Sequence, residues 1–363
     1  MKSTATFAVI ATLAAAASAQ LEETVRGDLG SALDAVYIDA AEEGFSGIVL
    51  IAREGEILLL KGYGLANRET NTPWTPATVS DIGSITKPFT ALAVLKLASE
   101  VRLHVDDRIG QYFNGVPSDK RHITVHHLLT HSSGLRSDFG GDFDADATRP
   151  VIFRRAMQSD LLWGTEGAGT RYEYSNTGYS VLAMIVEEVA RKPYEEYLRE
   201  AVLEPAGMHD TGYTLAWDPA RFAQGYYEDK HWGVVAEKHA LPDGPAWPLR
   251  GNGGLHTTIT DMYAFHRAFV ENKILPAEWK EKMLAPHVRE HPTQPFFYGY
   301  GFALEDLPRE GKSYGHNGGN GSFFADFRHY FEPETTFITM SNVAERPAEQ
   351  YNDKIRRILF PLD

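Results

Sequence analysis

The chain reads as an α/β protein of the α+β kind, a helix-flanked antiparallel sheet with an all-helical lobe. Three observations predict this. Two strand-like runs, residues 46–52 and 57–63, are joined at Arg53-Glu54-Gly55-Glu56, which is a hairpin signal. A stretch from about residue 110 to 249 then reads as helices, turns and long loops with few strand-like runs. Further strand-like runs follow at 298–304, 313–319, 322–331 and 335–341, the last two joined by Glu332-Pro333-Glu334. Successive hairpins build an antiparallel sheet, and helices must cover its apolar faces. At 363 residues the chain exceeds what one compact core usually holds. Two lobes are therefore expected, one from 20–109 with 250–363 and a mostly helical one over 110–249.

Taken in order, residues 1–19 have the form of a signal peptide. Lys2 gives the charged start, 7–17 the apolar run, and Ala17-Ser18-Ala19 the small-residue cleavage site. Export with cleavage near Ala19 is the expectation, to the periplasm or the medium. That run is too short to span a bilayer, and no other stretch is long and apolar enough. Leu21, Val25, Leu29, Leu33, Val36 and Ala40 recur at helical spacing and predict an opening helix. A second helix is expected over 91–99, with Leu92, Val94 and Leu95 facing the core. Thr124 is placed to cap a short helix that ends at Thr130-His131-Ser132-Ser133-Gly134. Helices are also expected over 179–190, 194–202 and 262–271, the last capped by Thr260 or Asp261. A closing helix over 348–359 puts Tyr351, Ile355, Ile358 and Leu359 on one face.

Composition narrows the function. Hydrophobic residues make up 43% and charged residues 23%, as in a globular protein. A net charge of −14 with no basic tract argues against a nucleic-acid partner. With no cysteine, disulfides, thiolate chemistry and sulfur-ligated zinc are excluded.

The pattern with most chemistry is Asp81-Ile82-Gly83-Ser84-Ile85-Thr86-Lys87-Pro88. Residues three apart on a helix share a face, so the Ser84 hydroxyl and the Lys87 ammonium can meet. A serine needs such a neighbour, as base or as counter-charge to its alkoxide, before it acts as a nucleophile. Gly83 allows the sharp turn that exposes the hydroxyl, and a helix N-terminus adds donors beside it. Two later segments supply partners. Tyr174-Ser175-Asn176 sits in a turn before a helix, and a tyrosine can relay protons if a cation lowers its pKa from about 10. Asn176 offers an amide donor and acceptor. Packing beneath a helix start is the alternative reading of Tyr174. In His316-Asn317-Gly318-Gly319, successive strand glycines weaken a sheet unless something approaches the backbone closely. A substrate lying along the strand would do so. A strand-end glycine turn beside a packed histidine is the alternative.

Ser84-Ile85-Thr86-Lys87, Tyr174-Ser175-Asn176 and His316-Asn317-Gly318 together resemble the three signatures of the serine β-lactamase and penicillin-binding-protein family. Their order and spacing are similar to the class C β-lactamase and D-alanyl-D-alanine carboxypeptidase branch. The stretch 127–135, Asn252-Gly253-Gly254-Leu255 and Tyr298-Gly299-Tyr300-Gly301 also resemble landmarks there. The resemblance implies a β-lactamase/transpeptidase-like fold with its cleft between the lobes. It implies Ser84 as the acylated nucleophile and Lys87 with Tyr174 as the proton-handling pair. The oxyanion hole would be the N–H groups of Ser84 and Gly319, with Asn176, His316, Asn317 and Gly318 completing the substrate site. Cofactor and metal would both be absent. Two departures stand out: His316 replaces the lysine of β-lactamases, and Asn317 replaces a threonine. These weaken a β-lactamase assignment and leave D-amino-acid peptides or small esters as the expected substrates.

Rival readings are weaker. His122, His126, His127 and His131 fall in two pairs at four-residue spacing, which suggests a metal. The segment lacks the acid of a His-Glu-x-x-His site, so capping and packing of a short helix is the reading adopted. Glu166 and Glu173 are read as solvated loop charges. A non-catalytic peptidoglycan-binding or sensor domain would have no need of Ser84, Lys87 and Tyr174 together. The sequence does not speak to oligomeric state.

Overall fold

The computed structural model describes residues 21–137, 141–238, 241, 244–344 and 351–361. The expected signal peptide, residues 1–19, lies outside the described residues.

Alternating apolar residues make the central sheet. Strand β2 (Gly47–Arg53) turns back into β3 (Glu56–Tyr63) at the expected hairpin. Edge strand β1 is Thr24–Val25, paired to β3. The opening helix therefore starts later than periodicity suggests: α1 is Gly27–Glu42, and Val25 lies in a strand. Of the expected stripe Leu33, Val36 and Ala40 are buried, joined by Tyr37, while Leu29 is half-buried.

After the helical excursion the chain returns as β4 (Val288–Arg289), β5 (Phe296–Tyr298), β6 (Ala303–Leu307), β7 (Gly311–Gly319), β8 (Phe324–Tyr330) and β9 (Thr335–Ser341). The nine strands lie in the order β1-β3-β2-β9-β8-β7-β6-β5-β4, every neighbour antiparallel. The strand expected over 298–304 is broken by a turn at 299–302, with Tyr298 ending β5 and Ala303 and Leu304 opening β6. Gly299 N–H donates to Phe302 O (2.8 Å), and pairing resumes only at Ala303. Closing helix α8 is Asn352–Leu359, and the start expected at 348 lies outside the described residues.

The period of two sorts the strand side chains between two cores. Val49, Ile51, Leu59, Phe337 and Tyr330 pack with α1 and with Tyr351, Ile355 and Leu359. Ile48, Leu50, Leu60, Phe327 and Ile338 face the other way, onto α2 (Thr86–Ser99) and α7 (Ile259–Val270). Helix α7 is capped by Thr258 Oγ1 accepting from Asp261 N–H (3.1 Å), not by Thr260 or Asp261. Twelve of the fourteen residues of α2 are buried. A helix with no polar face belongs at the centre of a protein, and α2 is enclosed by the sheet on one side and by the excursion on the other.

The excursion holds α3 (Val125–Leu129), α4 (Arg149–Gln158), α5 (Asn176–Ala190) and α6 (Tyr194–Leu198). Helix α6 runs through a π-helical turn, Arg199–Leu203, into Glu204–Ala206. The excursion also contains a hairpin, Gly225–Tyr227 with Lys230–Gly233, so it is not wholly helical. Among the described residues no helix is long and apolar enough to cross a membrane.

Burial holds seven histidines below their usual range. His126 and His329 are pushed down to about 4, His266 and His316 to about 3, and His127, His131 and His287 are lowered too. In the unfolded chain each titrates near 6.5, so acid protonates the unfolded state first. The four with values near 3 or 4 each remove up to roughly 1.4 kcal/mol of stability per pH unit between about 6.5 and the folded value, and the other three act in the same direction. Three carboxyls, the buried Asp81 and Asp261 and the half-buried Glu290, oppose this: Asp81 and Glu290 are pushed up to about 7 and Asp261 to about 6, so the folded state takes up those protons. The histidines outnumber them. The thermal unfolding midpoint should therefore fall as pH drops from 6.5 to 4.5; a midpoint that holds or rises would contradict this balance.

Candidate active site

Ser84 stands in a single 3-10 turn, Gly83–Ile85, at the mouth of α2. The helix thus begins at Thr86, well before the expected 91. Gly83 has φ +48°, and its N–H donates to Asp81 Oδ1 (3.0 Å). Thr86 Oγ1 donates back to Gly83 O (2.8 Å). These bonds hold Ser84 half-buried at the protein surface, one helical turn from Lys87.

Lys87 is 0% exposed. A buried ammonium is tolerated only where acceptors replace its water. Nζ donates to Ser84 Oγ (2.9 Å), Asn176 Oδ1 (2.8 Å) and the backbone oxygen of Asn252 (2.8 Å). It also lies 4.6 Å from the ring centre of Tyr174 and 5.8 Å from that of Tyr179, where ring faces favour a cation. Three expected residues thus meet at one nitrogen.

Each partner is fixed in turn. Asn176 is the first residue of α5, and the helix is capped by Ser175 Oγ accepting from Gly178 N–H (3.1 Å). The Asn252 loop is clamped from several sides. Thr90 Oγ1 bonds Gly251 O (2.6 Å), and Tyr213 OH accepts from Gly251 N–H (3.0 Å) and donates to Gly253 O (3.1 Å). Asn252 Nδ2 donates to Ser180 Oγ (2.9 Å). In sequence Asn252-Gly253-Gly254-Leu255 is only a landmark, with no sign of the bond that Asn252 makes to Lys87. A backbone acceptor leaves no side-chain signature.

Strand β7 meets the Ser84 turn backbone to backbone. A Cβ on Gly318 would stand 2.2 Å from Ile82 O and 2.4 Å from Ser84 N. One on Gly83 would stand 2.3 Å from Gly319 N. The paired glycines are therefore required by contact within the protein as well as by any ligand. They let the backbone around Ser84 meet the backbone around Gly319, and Gly319 is exposed. Asn320 Nδ2 donates to Asp81 Oδ1 (3.4 Å), a side-chain tie between the same two segments.

His316 and Asn317 are less simply placed than the sequence suggests. His316 is 5% exposed; Nε2 meets Tyr298 OH (3.0 Å) and Nδ1 meets Asn317 O (2.5 Å). Burial first, and Lys87 second, push its pKa down to about 3, so the ring is neutral. It is 6.2 Å from the Tyr174 ring, yet it spends both nitrogens inside the wall of the site. Asn317 is exposed, and strand alternation turns its side chain away from the face on which Gly318 meets the Ser84 turn. Of the four histidines of 122–131, His126 and His127 have ring centroids 5.8 Å apart, and three have identified partners. His127 Nδ1 accepts from Thr124 N–H (3.3 Å) in a capping box, His126 Nδ1 meets Tyr300 OH (2.9 Å), and His131 lies under Tyr174. Glu166 and Glu173 are exposed.

Three comparisons bear on this arrangement. The Beta-lactamase family model matches residues 22–359. Penicillin-binding protein 4* of Bacillus subtilis is 30% identical over 83% of this chain and 69% of its own length. Esterase EstB of Burkholderia gladioli is 32% identical over 68% of this chain and 63% of its own. Among solved structures, the octameric penicillin-binding protein homologue of Pyrococcus abyssi superposes with TM-score 0.76 at 28% identity, covering 92% of this chain and 77% of that one. The D-amino acid amidase of Ochrobactrum anthropi shares the fold, with TM-score 0.75 at 23% identity, over 92% of this chain and 98% of that one. The chain belongs to the Beta-lactamase family.

Gly318→Ala tests the backbone contact. The added methyl has no space against Ile82 O and Ser84 N, so the turn and strand must separate. A fold that survives should lose about a hundredfold or more of whatever turnover the wild type shows. Unchanged turnover in a variant of wild-type thermal midpoint would show that the amides need not be held together.

Proposed function

We propose that this Beta-lactamase family chain is an exported serine hydrolase that cleaves an ester or amide through an acyl-enzyme on Ser84. The observation that carries the reading is the 2.9 Å contact of Lys87 Nζ with Ser84 Oγ, with two carbonyl oxygens on the same nitrogen. Asn176 Oδ1 and Asn252 O take N–H bonds, which aims another tetrahedral position of Nζ at Ser84 Oγ. In the amine form that position is a lone pair, which accepts the hydroxyl proton. In the ammonium form it is an N–H, which stabilises the alkoxide.

The steps follow from these groups. Ser84 Oγ attacks the carbonyl carbon while its proton passes to the Lys87 and Tyr174 pair. The oxyanion that forms is met by the N–H groups of Ser84 and Gly319, whose segments abut. Collapse expels the alcohol or amine, which takes the proton back, and leaves an ester on Ser84. Water then adds along the same route and releases the acid, restoring Ser84.

Two features bear on substrate. Strand β7 pairs with β8 along 313–319 but with β6 only along 311–315. The ladder with β6 thus ends at Gly315, and in this reading an extended acyl group lies along the stretch of β7 that follows it. The neutral, enclosed His316 supplies no fixed cation for a substrate carboxylate. D-amino-acid amides and small neutral esters therefore fit better than β-lactams, which carry that carboxylate.

Three measurements check this. Ser84→Ala should abolish turnover of p-nitrophenyl acetate, and retained wild-type turnover would refute the reading. In a panel of nitrocefin, D-alanyl amides and acyl esters, kcat/KM for nitrocefin should be the lowest by about tenfold or more. Nitrocefin as the preferred substrate would overturn the charge argument. The activity profile between pH 5 and 9 should contain no histidine step from His316, whose proton is lost near pH 3.

A further inference from the structure

The signature 127–135 contains a histidine that the hydrolase reading leaves without a role. His131 is 1% exposed and holds a left-handed backbone, φ +56°, which is uncommon for a residue with a side chain. Strain of this sort persists only where the surroundings enforce it. Here it turns two acceptors of one residue toward the same short segment. Glu173 N–H donates to His131 O (2.9 Å), and Ser175 N–H donates to His131 Nδ1 (3.0 Å). The residue between those donors is Tyr174. The imidazole lies against its ring, with centroids 4.4 Å apart and planes 33° apart. Lys87 Nζ stands 4.6 Å from the same ring.

We infer that His131 is the positioning residue for Tyr174: it pins the backbone on both sides of the tyrosine and backs its ring, fixing the phenol relative to Lys87 and Ser84. The inference rests on the serine-hydrolase reading, in which Tyr174 carries protons, and adds a residue that touches neither substrate nor nucleophile. Because Nδ1 accepts from Ser175, the ring proton belongs on Nε2, which is buried without a hydrogen-bond partner among the described residues. A second proton would place a buried cation beside Lys87. Burial, then Lys87 and His316, hold the ring neutral. A neutral ring that offers Nδ1 as acceptor is thus the form that can do this work.

The test separates positioning from general support of the fold. Asn places a carbonyl oxygen near the Nδ1 position, whereas Phe keeps a ring and offers no acceptor. With p-nitrophenyl acetate, His131→Phe should lower kcat by about tenfold or more with KM within about twofold, and His131→Asn should recover most of that loss. In a Tyr174→Phe background, His131→Phe should cost less than about twofold further, because the residue through which it acts is gone. If His131→Phe does not fold, His131→Gln, whose amide reaches past the Nδ1 position, replaces it in the same cycle. Losses that multiply in the double variant, a rise in KM alone, or an Asn variant no better than Phe would overturn the inference. If Tyr174→Phe itself retains wild-type kcat while Ser84→Ala is dead, the tyrosine role and this inference fall together and the nucleophile stands. If Ser84→Ala is active, the hydrolase reading fails first.

Discussion

A lysine with no exposed surface sets the terms for everything around it. Charge in a protein interior needs acceptors in place of water, and at Lys87 they come from three parts of the chain: Ser84, Asn176 and the carbonyl of Asn252. The fold can be read as the means of delivering them. The almost wholly buried α2 carries Ser84 and Lys87 at its mouth, α5 begins at Asn176, and a loop clamped by Thr90, Tyr213 and Ser180 presents Asn252. The Tyr174 and Tyr179 rings and the neutral rings of His131 and His316 close the remainder. The cation is thereby enclosed by dipoles and ring faces, and the hydroxyl it touches stays within reach of solvent.

The second constraint is steric. The Ser84 turn and the end of β7 touch through backbone at Gly83, Gly318 and Gly319, with no space for a methyl group between them. Such contact needs glycine at these positions, since a side chain on Gly83 or Gly318 would hold the two segments apart. Asp81 and Asn320 tie the same segments from the flank. The sheet therefore meets the Ser84 turn through the end of one strand, whose pairing with β6 runs only to Gly315.

Much of this is legible in the amino-acid sequence. The hairpin at 53–56, the strands ending at 319 and 341, the Ser84–Lys87 spacing and the Thr124 cap are local, and local chemistry decides them. What the sequence hides is tertiary. Val25 fits a helical stripe but pairs with Leu59 in an edge strand. The run 298–304 looks like a strand, yet its glycines form a turn where Gly299 abuts Met283 O and Gly301 abuts Ala91. His316 in its motif looks placed to face a substrate, and only its neighbours Tyr298 and Asn317 show both nitrogens already engaged. The Asn252 carbonyl and the hold of His131 on residues 173 and 175 act through main-chain atoms or through space, which a one-dimensional pattern does not encode.

The central claim is that Lys87, held by its carbonyl acceptors, makes the Ser84 hydroxyl a nucleophile. Its most direct test is the rate at which an alkyl fluorophosphonate bonds the protein, with the modified residue located by peptide mass. The account predicts a single adduct on Ser84 in the wild type and a rate lower by on the order of a hundredfold or more in Lys87→Met. Labelling of Lys87→Met at the wild-type rate, or an adduct on any other residue, would contradict it.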